Sequence, residues 1–111
     1  MHLSQDSVLL RIFIGENDRH QGQPLYEAIV LAARERGLAG ATVLRGPMGY
    51  GASSRLHTAK ILRLSEDLPL VIELVDTKEK VDAFLRVLET MMTTSGLVTL
   101  EKVEVVRYGR S

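Results

Sequence analysis

Val8, Leu10, Ile12 and Ile14 alternate with Leu9, Arg11 and Phe13. A period of two predicts a strand, apolar on one face and mostly apolar on the other, and Gly15 ends it. Glu16 to Gln23 reads as a polar loop. Pro24 suits the first position of a helix, where its missing N–H costs nothing. Leu25, Ala28, Ile29, Ala32 and Ala33 then recur at helical spacing as far as the stop at Gly37. Ala39 to Arg45 predicts a second strand ending at Gly46. Leu70 to Val75 predicts another, with Leu70, Ile72 and Leu74 on one face and Val71, Glu73 and Val75 on the other. Asp76 with Glu79 three residues on has the spacing of a capping box. The helix it announces carries Val81, Phe84, Leu85, Leu88, Met91 and Met92 along one stripe and closes at Gly96. Leu97 to Tyr108 is the last strand region. Val98 and Leu100 share one parity and Val103 and Val105 the other, which predicts a bulge or break near Glu101–Lys102.

This order of elements is economical in one packing: an α+β, ferredoxin-like βαββαβ sandwich, with two helices on one face of a four-stranded antiparallel sheet. The other sheet face then has no cover, although Leu9, Phe13, Val71 and Val75 make it apolar. Such a face is a contact surface, so the pattern predicts an oligomer. Between the second and third firm strands lies Pro47–Pro69. His57 to Leu64 there fits a short strand or one amphipathic arm of a long hairpin. Gly49, Gly51, Ser53 and Ser54 bring little apolar surface to dock, so the loop at about 47–67 is expected to be mobile without ligand.

A chain of 111 residues makes one domain, taken as 1–111. A hydrophobic fraction of 45% with 25% charged residues excludes a disordered chain. Fourteen Lys and Arg balance fourteen Asp and Glu, which argues against a general nucleic-acid binder. The absence of cysteine excludes disulfides, thiolate chemistry and Cys-ligated metals. Apolar runs are far too short for a membrane span, and Met1–Ser7 has no signal-peptide pattern. The expectation is a soluble cytoplasmic protein.

Charge changes the picture locally. Between Glu35 and Glu66 there is no acidic residue, while Arg36, Arg45, Arg55, His57, Lys60 and Arg63 all fall there. Gly46, Gly49 and Gly51 lie within the same stretch, followed by Ser53, Ser54 and Thr58. Glycines let a backbone approach a ligand and present N–H groups to an anion. With hydroxyls and guanidinium forks they form the inventory of a phosphate site. The order of a P-loop and the spacing of a dinucleotide fingerprint are both missing. The candidate anion ligands are therefore the amides of Gly46, Gly49 and Gly51, the Ser53 hydroxyl, and a bidentate Arg45 or Arg55. His57 and Lys60 are second choices, since alternation puts them on opposite faces. The competing reading is a solvated hairpin whose charges balance an acidic neighbour. His2, His20 and His57 have no metal-ligand spacing. Glu16, Asp18 and Arg19 read as a solvated loop, and nothing orders a Ser-His-Asp constellation. Arg107, Tyr108 and Arg110 form a small basic-aromatic tail, which either reaches a phosphate or has no role.

The strings LRIFIGENDRHQGQPLYEAIV, GLAGATVLRGPMGYGASSRLHTAKILRLSEDLPLVIELVD and GLVTLEKVEVVRY resemble the uncharacterised PII-like family of small bacterial and archaeal proteins. That family is similar in fold to the PII signal-transduction proteins. The resemblance implies a ferredoxin-like homotrimer with an adenine nucleotide as effector in the clefts between subunits. It also implies a long loop between the second and third strands that engages a membrane transport protein, an enzyme or a regulator. Pro47–Pro69 occupies the place of that loop, Thr93–Val98 that of the loop before the last strand, and Arg107 and Arg110 the place of basic residues at the C-terminal end. Two features depart from PII: Tyr50 has no uridylylation-type context, and Thr93–Gly96 lacks the phosphate-binding lysines. The function expected is a nucleotide-responsive regulator with no catalytic residues, no resident metal and no required cofactor. The alternatives are a small enzyme acting on a phosphorylated metabolite, for which only His57 offers an acid or base between Arg36 and Ser65, and a metal-tolerance or structural trimer on the same fold.

Overall fold

The computed structural model describes residues 6–46, 68–93 and 96–109, together with the backbone of 48–49 and 57–58. The elements in chain order are β1 (Ser7–Gly15), β2 (Arg19–His20), β3 (Gln23–Pro24), α1 (Leu25–Glu35), β4 (Thr42–Arg45), β5 (Met48–Gly49), β6 (His57–Thr58), β7 (Pro69–Thr77), α2 (Lys78–Met91) and β8 (Leu97–Val103). Four of the strands form one antiparallel sheet in the order β4-β7-β1-β8. With two helices, this is the α+β ferredoxin-like sandwich that the pattern of apolar residues predicts.

The period-two alternation of β1 and β7 decides which face the helices cover. Leu10, Ile12, Ile72 and Leu74 are at most 1% exposed, and each pairs across the two strands with a residue of the same face. Ile29 of α1 and Val81, Phe84 and Leu88 of α2 pack onto them. Full burial of a side chain of this size stabilises by about 1.5–3 kcal/mol. The intervening residues Leu9, Phe13, Val71 and Val75 are half-buried on the opposite face, which the helices leave open.

Helix α1 ends in a Schellman motif. Leu38 N–H donates to Ala33 O and Gly37 N–H to Arg34 O, both at 3.1 Å, with Gly37 at φ +76°. Its start corrects the expected boundary. Pro24 precedes the helix at φ −57° and ψ 132°, held extended by pairing with Arg19 across the β2–β3 ribbon. The expected capping box is also corrected. Thr77 caps α2, its hydroxyl accepting from Lys80 N–H at 3.3 Å. Asp76 is instead fully buried, accepting from Thr77 N–H at 2.7 Å and Ala39 N–H at 2.8 Å. Ala39, bound to that carboxylate, lies ahead of β4, which begins only at Thr42.

The expected bulge in the last strand is absent. β8 runs in unbroken register from Leu97 opposite Phe13 to Val103 opposite Ser7. The change of parity has another cause: Val98 and Leu100 lie opposite core residues of β1, whereas Val103 lies on the open face. The strand stops at Val103, where β1 begins, so Val105 lies beyond it. His57–Thr58 is the described part of the predicted 57–64 arm. The rest of that arm, and the expected mobility of 47–67, lie outside the described residues. Among the described residues, no helix is long and apolar enough to cross a membrane.

Candidate functional site

The ends of β1, β4 and β7 meet where the chain leaves for the segment between residues 46 and 68. Gly46 N–H donates to Pro69 O and Glu16 N–H to Leu68 O, both at 2.8 Å. The turn after β1 is held by Asp18, whose carboxylate accepts from Gly15 N–H at 3.0 Å and whose backbone oxygen accepts from Leu25 N–H at 2.7 Å. Beyond Gly46, the β5–β6 ribbon sets Met48 opposite Thr58 and Gly49 opposite His57. The segment leaves and returns through the mouth formed by Gly46 and Leu68, and the β5–β6 pairing is its described part.

Arg45 closes this mouth. Its Nη2 donates to Glu16 Oε2 in an ion pair that spans the start of β7. The acid-free interval of the sequence is thus not acid-free in space, because Glu16, just past β1, brings a carboxylate to it. Gly46 also departs from expectation. Its N–H is committed to Pro69 O, and a Cβ on it would stand 3.0 Å from Pro69 Cγ. The glycine is explained by close backbone approach, and an anion there would have to displace a ladder hydrogen bond.

The other sequence-predicted ligands divide in two. Gly49 and His57 are brought together by the ribbon. Gly51, Ser53, Arg55 and Lys60 lie outside the described residues. Arg107 is exposed on the tail after β8, and its neighbour Tyr108 donates from its hydroxyl to Ala39 O at 3.3 Å. Ala39 precedes β4, whereas Arg45 ends it. One chain therefore holds the Arg107 tail and Arg45 near opposite ends of β4.

Two charge clusters escaped the sequence reading. One is the Glu16–Arg45 pair, whose signal is that each residue adjoins a strand-ending glycine. The other is on the open sheet face. Arg11 Nε donates to Glu73 at 2.9 Å and Nη1 to Glu101 at 3.2 Å. The hydrogen bond to Glu73 raises the guanidinium pKa above its ordinary value, with Glu101 adding to the effect. The signal there was a cation in the middle of VLLRIFIG and an anion in the middle of LVIELV. Among the described residues, no group of three His, Asp or Glu side chains is placed to hold a metal ion.

Comparison with known proteins agrees with this architecture. The structure of CPII from Thiomonas intermedia K12, a nitrogen regulatory PII-like protein bound to ADP, AMP and bicarbonate, superimposes with a TM-score of 0.66. The two are 18% identical, and the match covers 91% of this chain and 89% of that one. The divalent ion tolerance protein CutA1 from Ehrlichia chaffeensis gives a TM-score of 0.61 at 11% identity, over 95% of this chain and 86% of that one. At these identities the likeness is one of fold. In sequence, a UPF0166 protein of Aquifex aeolicus (strain VF5) is 43% identical over 98 residues, 88% of this chain and 91% of the relative. Residues 7–105 match the family DUF190, described as an uncharacterized ACR. With nearly the whole sheet and both helices inside that match, the chain belongs to the DUF190 family, within a PII-like fold.

Proposed function

We propose that this protein is a homotrimeric regulator that binds an adenine nucleotide in the cleft between subunits and signals to a transport protein or enzyme through segment 47–67. The observation that carries the reading is the likeness, over nearly the full chain, to a PII-like protein whose structure holds ADP, AMP and bicarbonate. The local inventory supports it. Arg45 stands just before the β5–β6 pairing that sets Gly49 opposite His57, and the sequence between and after those strands adds Gly51, Ser53, Arg55 and Lys60. In the proposal, the amides of Gly49 and Gly51 and the forks of Arg45 and Arg55 receive the phosphates. The separation of Arg107 from Arg45 along β4 supports a cleft built by two subunits, in which the tail of one chain approaches the loop of the next.

Calorimetric titration with ATP, ADP, AMP and cyclic AMP, and with bicarbonate alone, tests this. A hydrogen bond to a charged group contributes roughly 1.5–3 kcal/mol. Arg55→Ala is therefore expected to weaken the bound nucleotide by about one to two orders of magnitude. Arg55→Lys should recover only part, because it keeps the charge and loses the bidentate fork. If no nucleotide binds the wild type, the reading fails; if Arg55→Ala binds equally well, the site lies elsewhere. The likeness to CutA1 favours a second reading, a metal-responsive trimer, which a divalent-cation titration checks in the same instrument.

A further inference from the structure

Arg45 is the best-placed described cation for an anion, yet it is already engaged. Glu16 is the first residue beyond β1, fixed there by its N–H bond to Leu68 O at 2.8 Å. Arg45 is the last residue of β4, fixed by the Gly46–Pro69 bond of the same length. β7 runs between the two strands, so the ion pair ties the sheet together across a strand that belongs to neither partner. The partners are unequally exposed: the Arg45 side chain is 58% accessible and that of Glu16 only 25%. The guanidinium is thus the open half of the pair and the carboxylate the anchored half.

We propose that Glu16 is an internal competitor for the anion at Arg45, so that the ion pair is a latch which a phosphate must displace. The proposal rests on the reading of Arg45 as a phosphate ligand and adds its regulation. A phosphate is held best by two parallel N–H groups of one guanidinium. With the carboxylate in place, one of those groups is occupied and a like charge stands where the phosphate oxygens would sit. Only an anion that outcompetes a tethered carboxylate takes Arg45. Its arrival releases Glu16 from the junction of β1, β4 and β7. The guanidinium is more than half exposed, so solvent screens the pair and keeps its strength near that of a surface ion pair, small enough for a ligand to overcome.

The test is titration of the wild type, Glu16→Gln, Arg45→Ala and the double variant with ADP and with inorganic phosphate at fixed ionic strength. Gln keeps the size of Glu and leaves the Leu68 bond untouched. Glu16→Gln is expected to tighten binding about three- to tenfold, combining the lost ion pair with the lost repulsion. In the Arg45→Ala background the same change should have little effect, because the competition acts through Arg45. Binding to Glu16→Gln where the wild type binds neither probe would also support the latch. Equal or weaker binding by Glu16→Gln overturns it, and if Arg45→Ala is then weakened the anion reading of Arg45 still stands. Tightening of equal size in both backgrounds overturns it too, since that is long-range charge alone. If neither probe binds the wild type or Glu16→Gln, the latch and the phosphate reading fall together.

Discussion

Asp76→Ala is expected to cost about 2–4 kcal/mol of folding stability. The side chain is fully buried and both its oxygens are used, one accepting from Thr77 N–H and the other from Ala39 N–H. A hydrogen bond to a charged group contributes roughly 1.5–3 kcal/mol, and each donor left without a partner in the interior adds a desolvation penalty. The cost of burying the carboxylate offsets part of that sum. Asp76→Asn is near-isosteric but keeps only one acceptor, its amide nitrogen facing a donor, so it should restore less than half. Urea unfolding at one fixed protein concentration is the measurement, because assembly makes the midpoint concentration-dependent. A loss below about 1 kcal/mol in Asp76→Ala would contradict the account. The consequence reaches the candidate site. Ala39 leads into β4, which ends at Arg45, and its carbonyl receives the Tyr108 hydroxyl. Loss of the Asp76 anchor should loosen both the Arg45 strand and the tail that bears Arg107.

The fold was legible because β1 and β7 alternate strictly and α1 and α2 each carry one apolar stripe. Those periodicities are local, and the core formed by Ile12, Ile72, Ile29 and Phe84 follows from them. Boundaries were less legible because they depend on partners far away in sequence. Pro24 is extended because Arg19 pairs with it, and Ala39, expected to open the second strand, gives its N–H to Asp76, 37 residues on. The parity change in β8 looked like a bulge because a strand with two partly apolar faces carries no fixed phase. Only pairing with β1 supplies the register.

The candidate site was legible in composition and not in contacts. Arg45 and the glycines stood out because acidic residues are missing around them. Glu16, which bonds Arg45, comes from a loop 29 residues earlier that reads as solvated polar sequence. Gly46 has a reason to be glycine that the sequence does not show. Its lack of a side chain serves the approach of Pro69 and a ladder bond, whereas the sequence suggested a free amide.

Phe13→Glu is expected to dissociate the proposed trimer while leaving the chain folded. The register sets Leu44, Val71, Phe13 and Leu97 in one row across all four strands of the open face. Leu44 and Leu97, on the two edge strands, are 49% and 56% exposed in the single chain, so the row ends at both edges in apolar side chains open to contact. The next row is polar, with Arg11 bonded to Glu73 and reaching Glu101. If subunits pack through this face, the apolar row supplies contact area and the ion cluster beside it becomes desolvated with its charges already paired. A carboxylate at position 13 would be buried without a partner, a cost of several kcal/mol at each copy. Phe13 points away from the helices, so the core of Ile12, Ile72 and Phe84 is untouched and far-UV circular dichroism should be unchanged. Light scattering on a sizing column should then give about three times the 12.3 kDa chain mass for the wild type and for Phe13→Leu, and the single-chain mass for Phe13→Glu. A wild type that runs as a monomer at micromolar concentration would remove the trimer. A Phe13→Glu variant that keeps the trimer mass would move the interface off this face, and with it the cleft in which Arg107 of one chain was to meet Arg45 of the next.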